Sequence, residues 1–402
     1  CEKIIADYKL GLTLIQNNDK LKQIYGKLPA KVSERQVTSA KLVAKSIKNG
    51  LLIETAFPQT ANPIQDLDKD NSITSFKQGI SILDFIVDSG NGNFTVLTKT
   101  GTIRSYTEGK KTWERNLATE PIGSLQRVAF LGRNHFIVTT KNGIHLIDEK
   151  GQIPPGFPII VADRQLSSNA TMYQWKNKSY LLGMNATGDL LIFDQHGKRT
   201  SIISSGLITG EYPPEVWVSQ RKLFYGVRDN QQFRMYSGET LKEYRNFKIP
   251  EKTYSIKKPN ELFFIALDKG QLLRIDQKGN KTIIGRNLED YKLEEINERF
   301  EILLFKGEHA RVMTETGQTK LNLTTAAQQI EFFTLSTSVL GRTVLTVVDG
   351  LQNDVYLYGL NGKLVNEKPL PGAQKATIYE VKPNQFILTT IVDDFIVQYT
   401  IN

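Results

Sequence analysis

From about residue 79 onward, the chain has a regular pattern of short hydrophobic segments separated by polar turns. Short apolar runs rich in β-branched and aromatic residues alternate with Gly, Asn, Asp and Lys at intervals of about eight to twelve residues. This alternation predicts an all-β chain. One stretch shows the unit clearly, with strands expected at Leu125–Leu131, His135–Thr140, Ile144–Asp148 and Phe157–Val161.

A strand that ends in a tight turn recurs along the same region. The residues that close it are Thr107, Asp148, Asp194, Ser237, Asp276, Thr314, Gly359 and Thr400, about 42 residues apart on average. An Asp at this position can accept hydrogen bonds from the backbone just after it, and the following Gly can adopt a positive φ. This period with four strands per unit predicts an eight-bladed β-propeller over residues 79–402. Seven blades is the alternative, because the copy at Ser237 is poor.

The last repeat is too short to form a complete blade. Residues Ala376 to Asn402 have room for three strands, so the fourth strand must come from upstream. The segment 51–78, a linker and closing-strand segment, contains two candidates, Leu51–Phe57 and Ile73–Phe76. Closing the ring in this way removes the exposed edge of an open sheet.

Residues 1–50 have a helical pattern instead. Apolar residues recur at three- and four-residue spacing, and a second helix is expected from Ser33, with Gln36 completing a capping box, to Gly50. The apolar stripe of the first helix is Ile4, Ile5, Tyr8, Leu12 and Ile15. We therefore expect a short α-helical leader before the propeller.

The net charge of +9 is concentrated in this leader, which has nine Lys and one Arg against four acidic residues. The other residues are close to neutral, and their aromatic side chains are not interleaved with a basic patch, as single-stranded nucleic-acid sites require. A nucleic-acid partner is therefore not expected. The leader can lie over anionic lipid headgroups or form a solvated pair of helices.

Cysteine occurs once, at Cys1. A single cysteine excludes an intramolecular disulfide and a Cys-rich zinc module. Its position predicts a lipid anchor, since a bacterial lipoprotein is cleaved before a cysteine that is then acylated. The alternative is a free thiol. The residues after it lack the acidic run associated with surface export, which favours an outer-membrane lipoprotein that faces the periplasm.

Motifs for catalysis or cofactor binding are not found in the sequence. The four histidines have no metal-binding spacing, and neither a GxSxG elbow nor a P-loop occurs, so we expect no catalytic residue and no cofactor. Asp66, Asp68 and Asp70 resemble the start of a calcium loop. Asn71 and Lys77 stand where the Gly and the bidentate Glu are needed, so a polar loop is the other interpretation.

Three segments resemble known propellers: Thr107–Trp113, where a turn Gly precedes a Trp, Gly151–Ile159, and Val397–Asn402. The first is similar to the repeat of quinoprotein-like (PQQ-repeat) β-propellers, a superfamily that includes lipoproteins of the Gram-negative envelope. The other two are similar to an uncharacterised propeller family of Bacteroidota envelopes. The resemblance implies that the Trp docks between blades. It does not extend to the Cys pair or calcium ligands of quinoprotein dehydrogenases, which argues against a redox enzyme.

These observations together predict a non-catalytic, lipid-anchored propeller that binds other envelope proteins, within an outer-membrane assembly or export complex. Rigid blades that present loops on one face suit such a scaffold. The alternative is a carbohydrate- or polymer-binding module, or a hydrolase, that uses the central funnel.

Overall fold

A computed structural model describes residues 41–47, 50–56, 73–88, 92–208, 212–251, 253–258, 261–296, 301–337, 343–365, 368–382 and 385–401. The chain divides into two compact units, Cys1–Asp68 and Lys69–Asn402. No described residue belongs to a helix capable of spanning a lipid bilayer.

The described part of the first unit is a β-hairpin of β1 (Lys41–Ile47) and β2 (Gly50–Ala56). The two strands are antiparallel, and Ile47 pairs with Gly50. The helix predicted from Ser33 to Gly50 is therefore wrong over residues 41–47. A short apolar pattern does not separate helix from strand, and here a second apolar run after Asn49-Gly50 provides a pairing partner. The rest of the predicted leader, residues 1–40, lies outside the described residues.

The second unit consists of eight four-stranded antiparallel sheets arranged in a ring, which confirms the eight-bladed β-propeller over the seven-bladed alternative. Blade 1 consists of β4 (Ile82–Val87), β5 (Phe94–Thr98), β6 (Thr102–Thr107) and β7 (Lys110–Asn116). Blade 2 consists of β8 (Gln126–Phe130), β9 (Arg133–Thr140), β10 (Gly143–Asp148) and β11 (Ile159–Ile160). Blade 3 consists of β12 (Thr171–Trp175), β13 (Lys178–Met184), β14 (Asp189–Asp194) and β15 (Arg199–Ser204). Blade 4 consists of β16 (Glu215–Ser219), β17 (Lys222–Arg228), β18 (Gln232–Ser237) and β19 (Glu243–Lys248).

Blade 5 consists of β20 (Thr253–Lys258), β21 (Glu261–Asp268), β22 (Gln271–Asp276) and β23 (Lys281–Gly285). Blade 6 consists of β24 (Lys292–Ile296), β25 (Glu301–Lys306), β26 (His309–Thr314) and β27 (Thr319–Thr324). Blade 7 is β28 (Ile330–Thr337), β29 (Thr343–Asp349), β30 (Asp354–Gly359) and β31 (Leu370–Pro371). The first strands of neighbouring blades contact one another, so they form the inner wall of the ring.

Blade 8 contains strands from both ends of the propeller unit. Three strands come from the C-terminal part: β32 (Ala373–Lys382), β33 (Gln385–Val392) and β34 (Phe395–Ile401). The fourth is β3 (Ile73–Lys77), which pairs with β34 in antiparallel register, with Ile73 opposite Tyr399. Of the two predicted closing strands, the second is therefore confirmed. The first pairs with β1 instead.

The repeated turn follows the third strand of its blade and has the predicted hydrogen bonds. Oδ1 of Asp148 accepts from the amides of Lys150 and Gln152, at 2.9 and 2.6 Å. Oδ1 of Asp276 does the same for Lys278 and Asn280, at 2.8 and 2.9 Å. Burial by itself would raise the pKa of Asp276, but the side chain and amide of Asn280 and the Lys278 amide lower it below its usual value.

The glycine of the same turn receives an outer-strand side chain from the preceding blade. Trp113 of blade 1 donates from Nε1 to the carbonyl oxygen of Glu149 in blade 2, at 2.9 Å. Its ring lies over Gly151, where an added Cβ would be 2.8 Å from Trp113 Cδ2. The predicted docking of this Trp between blades is thus confirmed. Phe247 has the same position over Gly279, so a Phe takes the place of the Trp between blades 4 and 5.

The hydrophobic core is divided into clusters that lie between neighbouring blades. One joins blades 2 and 3 through residues such as Ile144 and Leu181, and another joins blades 4 and 5 through Phe233 and Phe264. The rings of this last pair are 4.7 Å apart in an edge-on arrangement. Each blade thus depends on its neighbours for burial, and an open ring would expose an apolar face at each of its two ends.

We expect Gly151→Ala to destabilise the protein by about 2–3 kcal/mol, because a positive φ and a steric clash with Trp113 add together. Gly132→Ala is the matched control. Gly132 has φ +75° against +78° for Gly151, but no atom lies within 4 Å of its added Cβ. The control should lose about 1–2 kcal/mol, the cost of the backbone conformation alone. Guanidinium unfolding of both variants measures the difference, and equal losses would contradict the docking role of Gly151.

Candidate interaction surfaces

The antiparallel blades give the ring two faces with different loops. One face carries the connections from the outer strand of a blade to the inner strand of the next, and the hairpins between second and third strands; we call it the crossover face. The other carries the hairpins between first and second strands and the turns between third and fourth strands; we call it the turn face. Loops on a rigid scaffold are where recognition residues usually lie.

The wall of the central channel contains ion pairs that join neighbouring blades. Nζ of Lys375 in β32 is 2.8 Å from Oδ1 of Asp84 in β4, and Nζ of Lys257 in β20 is 2.6 Å from Oε2 of Glu215 in β16. Burial by itself would raise the pKa of Glu215, but Lys257, together with Ser255 and Arg228, lowers it below its usual value. Glu215 therefore stays ionised, and both acids, each paired with a lysine of a neighbouring blade, act as structural links between blades.

The crossover end of the channel opens into a cavity of about 710 Å³. Its lining residues are Leu83, Asp84, Gly123, Ser124, Leu125, Phe332, Thr334, Ser336, Lys375 and Thr377. The one acidic residue among them, Asp84, is paired with Lys375, and the one aromatic residue is Phe332. These described residues therefore do not form the cluster of acidic and aromatic side chains that is expected of a polysaccharide site.

A groove of about 510 Å³ lies between blades 2 and 3 on the crossover face, and we call it the crossover groove. Its lining residues are Asp163, Arg164, Gln165, Asn185, Ala186, Thr187 and Asp189. The charges there form a network: Arg164 donates to Asp189, while Nη1 of Arg199 donates to both carboxylate oxygens of Asp163, at 3.0 and 2.9 Å. Burial would raise the pKa of Asp189, but hydrogen bonds from Ser204, Asn185 and Arg164 lower it.

An exposed isoleucine lies beside this groove. Ile208 is 82% exposed, whereas the preceding Leu207 is buried. The carbonyl oxygen of Leu207 would be 2.2 Å from a Cβ added to Gly188, which belongs to the hairpin that lines the groove. Ile208 thus presents an apolar side chain next to a polar network whose charges are paired.

The turn face has a smaller cleft between blades 1 and 2, of about 220 Å³. Arg127 crosses it, with one guanidinium nitrogen 2.8 Å from Oε1 of Glu149 and another 3.8 Å from Oδ1 of Asp88. Its one cation thus contacts two carboxylates of the protein itself.

Most of the residues singled out from the sequence are not brought together. Cys1, the predicted lipid anchor, and the calcium candidates Asp66, Asp68 and Asp70 lie outside the described residues. His135 and His145 are in blade 2, His196 in blade 3 and His309 in blade 6. Within the described ranges, no three His, Cys, Asp or Glu side chains form a group that could hold a metal ion.

The crossover groove and Ile208 were not expected from the sequence. The signal for Ile208 is an apolar residue in the segment Gly206-Leu207-Ile208-Thr209-Gly210, which is too rich in turn residues to be a strand. The groove itself has no local signal, because its two sides come from different blades.

Comparisons with known proteins find no matching family model and no matching curated protein. Solved structures do match. The computationally designed Ika8 protein superposes with a TM-score of 0.58 at 13% identity, over 81% of this chain and 98% of that one. BamB from Moraxella catarrhalis superposes with a TM-score of 0.51 at 14% identity, over 82% of this chain and 97% of that one. At these identities, what this chain is shown to share with them is the β-propeller fold.

Proposed function

We propose that this protein is a non-catalytic scaffold that binds other proteins of the cell envelope, within an outer-membrane assembly or export complex. The observation that carries the proposal is the crossover groove with the exposed Ile208 at its side. The groove lies on a ring whose blades are held together by ion pairs and shared cores, so it is presented without rearrangement. Such preorganised surfaces bind partners at a low entropic cost.

The arrangement of the channel acids supports a binding function over a hydrolytic one. Asp84 and Glu215 each hold a lysine and receive further hydrogen bonds, from Leu125 N to Asp84 and from Ser255 to Glu215. A general acid needs a raised pKa and a mobile proton. The pKa of Glu215 is lowered instead.

Photo-crosslinking in the native host tests the proposal. A benzophenone amino acid at position 208 should capture one envelope protein reproducibly, and the same probe at position 283 is the control, since Ile283 is 40% exposed on the outer strand of blade 5. Purified partner should then bind Ile208→Asp at least tenfold more weakly than the wild type. Equal capture at both positions, or unchanged affinity, would contradict the proposal.

The second candidate function is a carbohydrate- or polymer-binding module in the funnel. The hydroxyl groups of Ser124, Thr334, Ser336 and Thr377 at the 710 Å³ channel mouth favour it. Glycan-array binding at submillimolar affinity that is lost in Phe332→Ala would establish this function in place of the first.

Membrane attachment is a further part of the proposal: Cys1 is acylated, and the protein faces the periplasm from the outer membrane of a Bacteroidota cell. Growth with an alkyne-tagged fatty acid should label the full-length precursor and leave its Cys1→Ser variant unlabelled. If the unsubstituted protein were not labelled, the proposed acylation of Cys1 would be wrong. The binding function would still be tested by the crosslinking experiment above.

A further inference from the structure

Three neighbouring hairpins on the turn face have the same length and the same place in their blades. They join the first and second strands of blades 2, 3 and 4, and each has two residues between its paired strand ends. The paired ends are Phe130 with Arg133, Trp175 with Lys178, and Ser219 with Lys222. Since first strands form the inner wall, the tips of these hairpins lie along one part of the channel rim.

The three tips carry five cations, which we call the basic arc: Arg133, Lys176, Lys178, Arg221 and Lys222. All five are exposed. None of them makes an ion pair with any residue that the structure describes, whereas the arginines of the groove and the cleft are all paired with acids. The basic arc is therefore a concentrated positive charge that the protein itself does not neutralise.

The three tips of the arc have the same backbone conformation. The two central residues of each hairpin have positive φ, between 49° and 75°. Gly and Asn favour this conformation, and Gly132 and Asn177 supply it in two of the hairpins. In the third, Gln220 and Arg221 have φ of 49° and 61°. The third tip therefore places an arginine at a backbone position that glycine would adopt with less strain.

The surroundings of the arc indicate the shape of its partner. The outer turns of the same blades carry both signs of charge, with Glu149 beside Lys150 and Glu239 near Lys242. The positive excess is thus confined to a narrow strip along the rim. A planar anionic membrane would also meet the outer acids, whereas an extended segment would contact the strip alone. Leu131, at the first tip and 59% exposed, adds an apolar contact.

We propose that the basic arc binds an extended acidic segment of a partner protein. Arginine is suited to this, because its guanidinium group can donate two parallel hydrogen bonds to one carboxylate. The lysines contribute charge that speeds association and selects an acidic sequence. This inference rests on the proposed scaffold function and names a second binding surface for it, on the face opposite the crossover groove.

Fluorescence anisotropy with a labelled twelve-residue peptide of alternating Glu, Asp and Leu tests the inference on the full-length protein. The wild type should bind the peptide, and binding should weaken as salt is raised. The double variant Arg221→Glu/Lys222→Glu should bind at least tenfold more weakly. The control Lys278→Glu/Lys281→Glu makes the same change in net charge at exposed positions of an outer turn in blade 5, and should change affinity less than twofold.

Equal weakening in both double variants would overturn the proposal, because it would show a dependence on net charge alone. Sedimentation with vesicles of phosphatidylcholine and phosphatidylglycerol is the second arm. Vesicle binding that the arc variant loses, without peptide binding, would replace the acidic segment with a membrane. Arg221→Gln/Lys222→Gln repeats the test with a milder change if charge reversal prevents folding. Ile208→Asp should keep full peptide affinity, so failure of the groove and failure of the arc are distinguishable.

Discussion

Replacing Phe76 by alanine is expected to lower the free energy of unfolding by about 3–5 kcal/mol. Phe76 lies in β3, the strand that completes blade 8 from the other end of the ring, and it is 9% exposed. Its ring centre is 4.9 Å from that of Phe94 and 5.5 Å from that of Tyr106, both in blade 1. The substitution therefore leaves a cavity at the outer side of the seam where the ring closes.

Guanidinium unfolding followed by tryptophan fluorescence measures this loss. Ser75→Ala is the matched control on the same strand, because Ser75 is exposed, and it should change stability by no more than about 0.5 kcal/mol. Hydrogen exchange gives a second readout: amides of β34 and β5 should exchange faster in Phe76→Ala. If the two variants were equally stable, β3 would not be holding the ring closed.

Replacing Asp84 by alanine is expected to cost about 3 kcal/mol, at the inner side of the same seam. Asp84 accepts hydrogen bonds from Lys375 Nζ at 2.8 Å, from the Phe85 amide at 2.8 Å and from the Leu125 amide at 3.0 Å. Removing the carboxylate takes an acceptor from two buried amides and leaves the partly buried Lys375 ammonium with only the Phe85 carbonyl oxygen, at 2.9 Å. Breaking one side of a buried pair is costly for this reason.

A double-mutant cycle with Lys375→Met separates the ion pair from the other bonds of Asp84. Met keeps the apolar stem of the lysine, so this single change should cost less, about 1–2 kcal/mol. The double variant should be more stable than the sum of the two losses predicts, because the charge left unpaired by each single change is then absent. Strict additivity of the losses would show that the pair does not link blades 8 and 1.

The turn chemistry could be predicted because all of its partners are close in sequence. Asp148 bonds to amides two and four residues later, and Gly151 is three residues away. The same reasoning failed at residues 41–47, where an apolar stripe over so short a segment fits a helix or a strand equally well. What decided between them is the pairing of Lys41–Ile47 with Gly50–Ala56, and no local propensity reports such pairing.

The closing strand is an intermediate case. The count of strands in the last repeat showed that one was missing, and left Leu51–Phe57 and Ile73–Phe76 as equal candidates. The structure uses Ile73–Lys77, whose Phe76 fills the space beside Phe94 and Tyr106. That space exists only once blades 8 and 1 are adjacent. The sequence therefore indicates both candidate strands but contains no local signal that selects one of them.

The sequence by itself determined the propeller fold and the chemistry of its turns, since both depend on contacts within a few residues and on a regular period. It favoured eight blades over seven, and the structure decided between them. The tertiary structure alone decided which charges are paired and which are left free. Asp84 and Lys375 are 291 positions apart, and they meet because the ring closes. Arg133, Lys178 and Arg221 are ordinary surface cations in the sequence. They form one basic surface because successive blades place equivalent hairpins side by side on the channel rim.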